Sequence, residues 1–333
     1  MPKVSVVMAT YKAENTLGEA IESVLYQTFS DFEFIIIDDN SLDSTSEILT
    51  KYSNQDSRIK VFRNSSNIGL TRSLNRGLAE AKGSYIARMD SDDICMKNRF
   101  DEQVTYLENN KKIGVCGTYV EIFGEKTGVR KHSDNSEELK VRTLFSSQFC
   151  HPSTMIRKEI LLENGIEYNV SFLVAQDYEL WARLIPICDF GTVPKQLLRY
   201  RVHDQQISSE KKLLQWQARE KVIKWIWRCI GLPLLDQDIQ LHNDLSFFNW
   251  NKEPVFIEKT GKYFEALIKA NNHSKFFPVH SFQNFLIEYW WQLCSGSANY
   301  GKEVFKIFIQ NYMGKVASNS KKIRLKAKTL IAG

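Results

Sequence analysis

The chain has 333 residues, 43% hydrophobic and 25% charged, with a net charge of +5, an ordinary globular composition with ample core for one large domain or two smaller ones. No apolar run reaches the roughly 18 residues of a membrane span, and six scattered cysteines without a C-x-x-C pair read as free, mostly buried thiols rather than zinc ligands or disulfides. Residues 315–333 hold six Lys or Arg and no acidic residue, so the remaining body lacks the basic face of a nucleic-acid binder.

The N-terminus runs straight into a strand over 3–9 without the apolar stretch of a signal peptide, which predicts a cytoplasmic protein. Residues 15–27 carry Leu17, Ile21, Val24 and Leu25 at helical spacing. The unbroken apolar run 32–37 ends in Asp38-Asp39 and reads as a strand buried on both faces. A helix over 44–52, a short strand over 59–62, a helix over 70–81 and a strand over 84–89 follow. Repeated βα units with short links predict an α/β fold with a doubly wound, mostly parallel central sheet. Beyond it the pattern predicts a helix over 99–109, a strand over 113–119, a hairpin near 123–128 and a helix over 177–184. After Ser208 the texture becomes aromatic-rich and helical (213–230, 256–270, 282–293, 304–312). The expected division is a catalytic domain over 1–207 and a helical C-terminal region over 208–333.

Polar groups collect where the early strands end, the edge at which open α/β sheets bind ligands. The first strand runs into Thr10-Tyr11-Lys12-Ala13-Glu14-Asn15 and then a helix N-terminus, a place for an anion or merely a capped loop. Asp38-Asp39 closes the second strand, where a carboxylate could accept from a base N–H or a ribose hydroxyl, or cap the next helix. Asn67-Ile68-Gly69-Leu70-Thr71-Arg72 opens the third helix with a cation. Asp90-Ser91-Asp92-Asp93 places three carboxylates in four positions, which repel unless something positive lies between them. A divalent ion with oxygen ligands fits, and so does an acidic turn capping a helix. There is no G-x-G-x-x-G after the first strand, and Gly296–Lys302 lacks the Ser or Thr of a P-loop.

Ser5-Val6-Val7-Met8-Ala9-Thr10-Tyr11, Ile36-Ile37-Asp38-Asp39-Asn40-Ser41, Asn67-Ile68-Gly69 and Arg88-Met89-Asp90-Ser91-Asp92-Asp93 together resemble, in order and spacing, the family 2 glycosyltransferases, inverting enzymes of the GT-A fold. The resemblance covers about the first 205 residues. It implies that Thr10, Tyr11, Glu14 and Asp39 line a nucleoside pocket and that Asn67 and Arg72 border the base or diphosphate. It further implies that Asp92 ligates Mn²⁺ or Mg²⁺, that Asp90 lies by the ribose and metal, and that Asp93 faces the sugar. Downstream, Cys150-His151-Pro152-Ser153 and Arg157 are similar to the strand beneath the acceptor site, with His151 near the sugars. Gln176-Asp177-Tyr178-Glu179-Leu180-Trp181 resembles the segment whose aspartate is the catalytic base. Here Gln176 replaces the frequent Glu, which lessens the upward push on the Asp177 pKa. Arg201 and His203 match a loop that folds over the diphosphate, and His203 is a further metal candidate.

The resemblance implies transfer of a sugar from a nucleotide-sugar donor, UDP-linked by first expectation, to a saccharide or lipid-diphosphate-linked acceptor. The product would be a β-linkage in bacterial surface polysaccharide such as O-antigen or capsule. A sugar-nucleotide pyrophosphorylase would need a glycine-rich basic loop after the first strand, where Thr10–Glu14 stands. A processive synthase would add membrane spans, and a non-catalytic nucleotide-sugar-binding protein of the same fold stays open. In the tail, Ile323, Ala327, Leu330 and Ile331 share one helical face with basic residues around it. That suits peripheral contact with the inner face of the cell membrane, or a solvated tail.

Overall fold

The computed structural model describes residues 1–203, 212–233, 236–250 and 252–331. They form two compact units, one of residues 1–139 and 147–219, the other of residues 140–146 and 220–333. The expected border at 207/208 lies outside the described residues.

The first unit is built on a nine-stranded sheet. The strands are β1 (Val4–Thr10), β2 (Phe32–Asp38), β3 (Ile59–Arg63), β4 (Tyr85–Arg88), β5 (Ile94–Cys95), β6 (Ile113–Gly124), β7 (Gly128–Arg130), β8 (Met155–Arg157) and β9 (Asp189–Val202). Their order is β3-β2-β1-β4-β8-β6-β9-β5, with β7 paired to β6. β1 is parallel to β2 and β4, β2 to β3, and β6 to β9. β8 lies antiparallel between β4 and β6, so β1, β2, β3, β4, β6 and β9 all point the same way. The C-terminal ends of six strands therefore meet at one edge.

Burial explains the stacking. Val4, Val6 and Met8 of β1 join one core with Leu17, Ile21 and Val24 of α1 (Leu17–Leu25) and Phe100 of α4 (Arg99–Asn109). The opposite face of the sheet is covered by α3 (Leu70–Glu80), where Gly77 brings the helix backbone against Val7 and Ile37. α2 (Thr45–Gln55) follows β2. α5 (Ser136–Arg142), α6 (Lys158–Glu163) and α7 (Gln176–Leu184) complete the early helices. The hairpin expected near 123–128 joins β6 to β7. The 14-residue β9, by contrast, has no clear alternation in sequence, because its residues are buried irregularly along its length.

The second unit is helical: α8 (Lys212–Ile230), whose start belongs to the first unit, then α9 (Asp236–Ser246), α10 (Pro254–Ser274), α11 (Val279–Gly296), α12 (Lys302–Gln310), α13 (Tyr312–Val316) and α14 (Asn319–Ile331). Of its tryptophans, Trp227 and Trp290 are fully buried and Trp225, Trp250 and Trp291 half-buried. His242 stacks on Phe145 at 5.1 Å and hydrogen-bonds Tyr263 Oη at 2.7 Å. No helix among the described residues is long and apolar enough to cross a membrane. All six cysteines are free, and all but Cys229 are buried.

One polar node fixes the start of the sheet. Buried Ser5 donates to Glu33 Oε1 at 2.6 Å and accepts from the N–H groups of Lys82 at 3.1 Å and Gly83 at 2.7 Å. A Cβ on Gly83 would stand 2.5 Å from Ser5 N and 2.7 Å from Val4 C, both backbone atoms that cannot swing aside. Gly83→Ala should therefore destabilise the protein by about 1–3 kcal/mol, read as a lower urea midpoint; an unchanged midpoint would refute the close approach.

Candidate active site

The β1 and β2 ends are laced together. Lys12 N–H donates to Ser41 Oγ at 3.0 Å, Ala13 N–H to Thr45 Oγ1 at 2.9 Å, and Ser44 N–H to Glu14 Oε2 at 3.0 Å. Thr10 is buried with its hydroxyl unpartnered among the described residues, and Tyr11 beside it is exposed. Asp39 is buried and accepts from Asn64 Nδ2 at 2.7 Å, Ile68 N–H at 2.9 Å and Gly69 N–H at 2.8 Å. It thus shapes the loop in which Asn67, and beyond it Arg72, stand exposed. Gly69 takes φ +87°, open to glycine, as it caps α3. Lys12 (φ 52°), Asn40 (φ 63°) and Ala175 (φ 55°) are left-handed without being glycine. Each lies within two residues of an expected site residue, and such strain, about 1–3 kcal/mol apiece, gathers at functional sites.

β4 delivers the acidic cluster to the same edge. One ligand oxygen from each of Asp90, Asp92 and Asp93 lies within 4.8 Å of the others. Neighbouring elements supply the compensation. The buried Arg88 guanidinium pairs with Asp90 Oδ1 and bonds Met89 O. Thr16 Oγ1, at the start of α1, donates to Ser91 O at 2.9 Å. His203 Nε2 lies 3.1 Å from Asp92 Oδ2. Arg201 gives its N–H to Asp93 Oδ1 at 2.8 Å, its Nε to Asp92 O at 2.7 Å and a terminal nitrogen to Glu19 Oε2 at 2.5 Å, while lying 4.4 Å over the Phe123 ring. Beneath them the fully buried Arg99 donates to Arg88 O and Thr154 O.

Two expected site residues are engaged within the protein. Asp93, expected to face a sugar, is fully buried, because the β9 backbone takes one of its oxygens. Arg201, expected at a diphosphate, has its guanidinium engaged by Glu19 and the Asp92 carbonyl. Burial and the charge of Asp90 raise the Asp92 pKa, against the lowering effect of His203. Burial, then Asp90 and Asp92, hold Asp93 well above the usual carboxylate range. Asp93 Oδ2 is buried with no hydrogen bond among the described residues. Clustered hard oxygen donors with an orphaned buried oxygen and an imidazole at Asp92 fit a divalent cation such as Mn²⁺ or Mg²⁺.

In the same unit, α7 presents Asp177 in its first turn. Its Oδ2 accepts from Ser147 Oγ at 3.1 Å. Burial raises its pKa, N–H groups of the helix start and Ser147 oppose this, and the Asp90 charge adds to the rise. His151 follows in a one-turn 3₁₀ segment, bonded through Nε2 to Tyr168 Oη at 2.7 Å and edge-on to Trp181. Burial, then Arg88, push its pKa well below the ordinary value, so it stays neutral. Arg157 is spent inside the sheet on Ile113 O at 2.8 Å and Tyr85 Oη at 3.0 Å. Sequence reasoning missed Arg88, Thr16, Glu19, Ser147 and Tyr168 as site residues. Only Arg88 left a signal, a charge inside an otherwise apolar strand run.

The family model described as "Glycosyl transferase family 2" matches residues 5–165. An "Uncharacterized glycosyltransferase" of Haemophilus influenzae is 32% identical over 282 residues, 80% of this chain and 84% of that one. The "UDP-Glc:alpha-D-GlcNAc-diphosphoundecaprenol beta-1,3-glucosyltransferase WfgD" of Escherichia coli is 30% identical over 62% of this chain and 80% of its own. Among solved structures, S. aureus TarS 1-349 in complex with UDP superposes with a TM-score of 0.58 at 19% identity, covering 81% of this chain and 82% of that one. The mannosyltransferase PcManGT from Pyrobaculum calidifontis, in complex with GDP-Man and Mn²⁺, gives 0.53 at 13% identity over 99% and 87%. The fold is of the GT-A type.

The cluster's electrostatics predict opposite effects of two substitutions under chelating conditions. Asp90→Ala leaves the buried Arg88 without its carboxylate and should destabilise by about 1–3 kcal/mol. Asp92→Asn removes a like charge whose ionisation the fold disfavours, and should raise the melting temperature. Calorimetric melts in EDTA check both signs, and equal shifts would refute the division.

Proposed function

Because this chain belongs to glycosyl transferase family 2, and is an enzyme that transfers glycosyl groups, we propose that it moves a sugar from a UDP-sugar to a hydroxyl of a saccharide carried on a lipid diphosphate, with inversion. The observation that carries the reading is the cluster of Asp90, Asp92 and Asp93, whose ligand oxygens lie within 4.8 Å of one another where β4 ends. The UDP held by the TarS structure and the donor and acceptor in the name of the WfgD relative support the substrate classes. The product's place would be surface polysaccharide synthesis, at the inner face of the cell membrane.

In this mechanism the acceptor oxygen attacks the anomeric carbon as the bond from that carbon to the diphosphate oxygen breaks, and the electron pair leaves with the nucleoside diphosphate. The hydroxyl proton passes to the Asp177 carboxylate, whose raised pKa makes it a better base than a surface aspartate, a role worth about 10²–10⁴ in rate. One displacement from the opposite face turns an α-linked donor into a β-linkage. Thr10, Tyr11 and the Asp39-shaped loop with Asn67 would receive the nucleoside, with Glu14 bracing the loop and Arg72 at its rim. Asp90 would lie by the ribose. Asp92 and His203 would hold Mn²⁺ or Mg²⁺, which when bound supplies Lewis-acid stabilisation of the departing diphosphate. Arg201 would position Asp92 and Asp93 and would reach a phosphate only by exchanging its bond to Glu19. His151, kept neutral, can accept or donate one hydrogen bond toward the acceptor sugar without adding charge.

Metal-dependent hydrolysis of a panel of UDP-, GDP- and dTDP-sugars should single out one UDP-sugar; turnover of none, with UDP still bound, would favour a non-catalytic binding protein. Asp177→Asn should keep UDP affinity and lower kcat by about 10²–10⁴. Since the wild-type base works ionised and its pKa is raised, kcat/KM should fall as pH drops from neutral toward a midpoint above that of an ordinary aspartate. A flat profile, or near-normal turnover by the variant, would exclude Asp177. Calorimetry should show that Asp92→Ala loses the Mn²⁺-dependent part of UDP binding, and unchanged affinity would reject that ligand.

A further inference from the structure

The C-terminal segment is a helix docked by one face and exposed on the other. On α14, Leu325 and Thr329 are buried, filling the seam against its neighbours. Lys321 pairs with Glu288 of α11 and lies 5.7 Å over the Trp291 ring, Trp291 Nε1 donates to Lys321 O, and Lys328 Nζ donates to Ser295 Oγ at 2.6 Å. At 100° per residue the opposite side carries Ile323, Ala327, Leu330 and Ile331 in one stripe. Ile323 is 68% exposed, Leu330 54% and Ile331 87%. Lys322 and Lys326 border the stripe on one side, Arg324 and Lys328 on the other. No acidic residue occurs after Glu303 in the sequence.

We infer that this outward face of α14 is a surface for an anionic lipid bilayer. A core-packing helix has no reason to place three large apolar side chains in water opposite its buried face. Nucleic acid would use the cations but not the stripe, whereas a bilayer interface uses both, the apolar side chains reaching the acyl boundary and the flanking cations meeting lipid phosphates. The stripe is short, so hydrophobic insertion alone gives weak binding and attraction to anionic headgroups must contribute. Binding should therefore weaken as salt shortens the screening length. Because the docked face is fixed by Leu325, Trp291 and Glu288, the stripe stands preformed rather than folding on contact. The inference deepens the proposed membrane-side acceptor but uses no step of the transfer chemistry.

The test is flotation of the full-length protein with phosphatidylcholine vesicles with and without phosphatidylglycerol. The wild type should float with the anionic vesicles at low salt and be released at high salt. Ile323→Ser/Leu330→Ser/Ile331→Ser and, separately, Lys322→Gln/Arg324→Gln/Lys326→Gln should each weaken binding by about tenfold or more. Both variants should keep the wild-type circular dichroism, sedimentation coefficient and rate of donor hydrolysis in solution. Failure of the wild type to float, or full binding by the serine variant, overturns the inference. So does conversion of a wild-type oligomer to monomer by the serine variant, which would make the stripe a contact between copies. Hydrolysis measured alongside separates such a failure from failure of the transferase reading itself.

Discussion

Like-charge repulsion is the constraint around which the catalytic unit is organised. Three carboxylates within 4.8 Å would separate or take up protons unless the surroundings held them. The compensation comes from elements far apart in sequence: Arg88 at the end of β4, the N–H of Arg201 on β9, and His203 just beyond it. Arg99 adds a buried positive charge below, anchored on main-chain carbonyls rather than on a carboxylate. The balance is left incomplete, since Asp92 and Asp93 both resist ionisation. An incomplete balance is what a cation site needs, because a fully neutralised cluster would have nothing left to gain from an ion.

Around Asp177 the neighbouring polar groups are uncharged. His151 and Tyr168 form a neutral hydrogen-bonded pair held by burial, with Arg88 depressing the imidazole further. Among the described residues, Asp177 accepts from the uncharged Ser147 hydroxyl. A cationic partner there would stabilise the carboxylate and blunt its basicity. Arg88 thus acts twice, pairing with Asp90 and helping keep His151 uncharged.

The parallel half of the sheet was legible because buried parallel strands are apolar runs that end abruptly in polar residues, as Ile35–Asp39 and Ile86–Asp90 do. The motifs around Asp39 and Asp90–Asp93 sit at those ends, and Asp177 lies in the first turn of α7. β9 and α5 were not legible: the first is buried irregularly and the second is a single short helix whose end, with the segment after it, clusters with the other unit. The direction of side chains was equally hidden. Asp92 and Asp93 are neighbours of identical chemistry, and only the pairing of Arg201 with Asp93 decides which of them is sealed under the sheet edge. Glu14 looks like an ordinary loop acid before a helix, and Glu19 like a first-turn acid within it. The contacts that give them work, Ser44 N–H and Arg201, are 30 and 182 residues away.

That last separation has a kinetic consequence. The bridge from Glu19 to Arg201 ties the first helix to the last strand, and β9 enters the sheet beside β6, which was made some 75 residues earlier (residues 113 and 189 begin the two strands). Contacts of such long range form late, because the chain entropy of closing the loop must be overcome first. During synthesis, a chain that has emerged only through Asp93 would hold the acidic turn without Arg201 or His203 to restrain it. The restrained acidic cluster is thus among the last parts of this unit to appear.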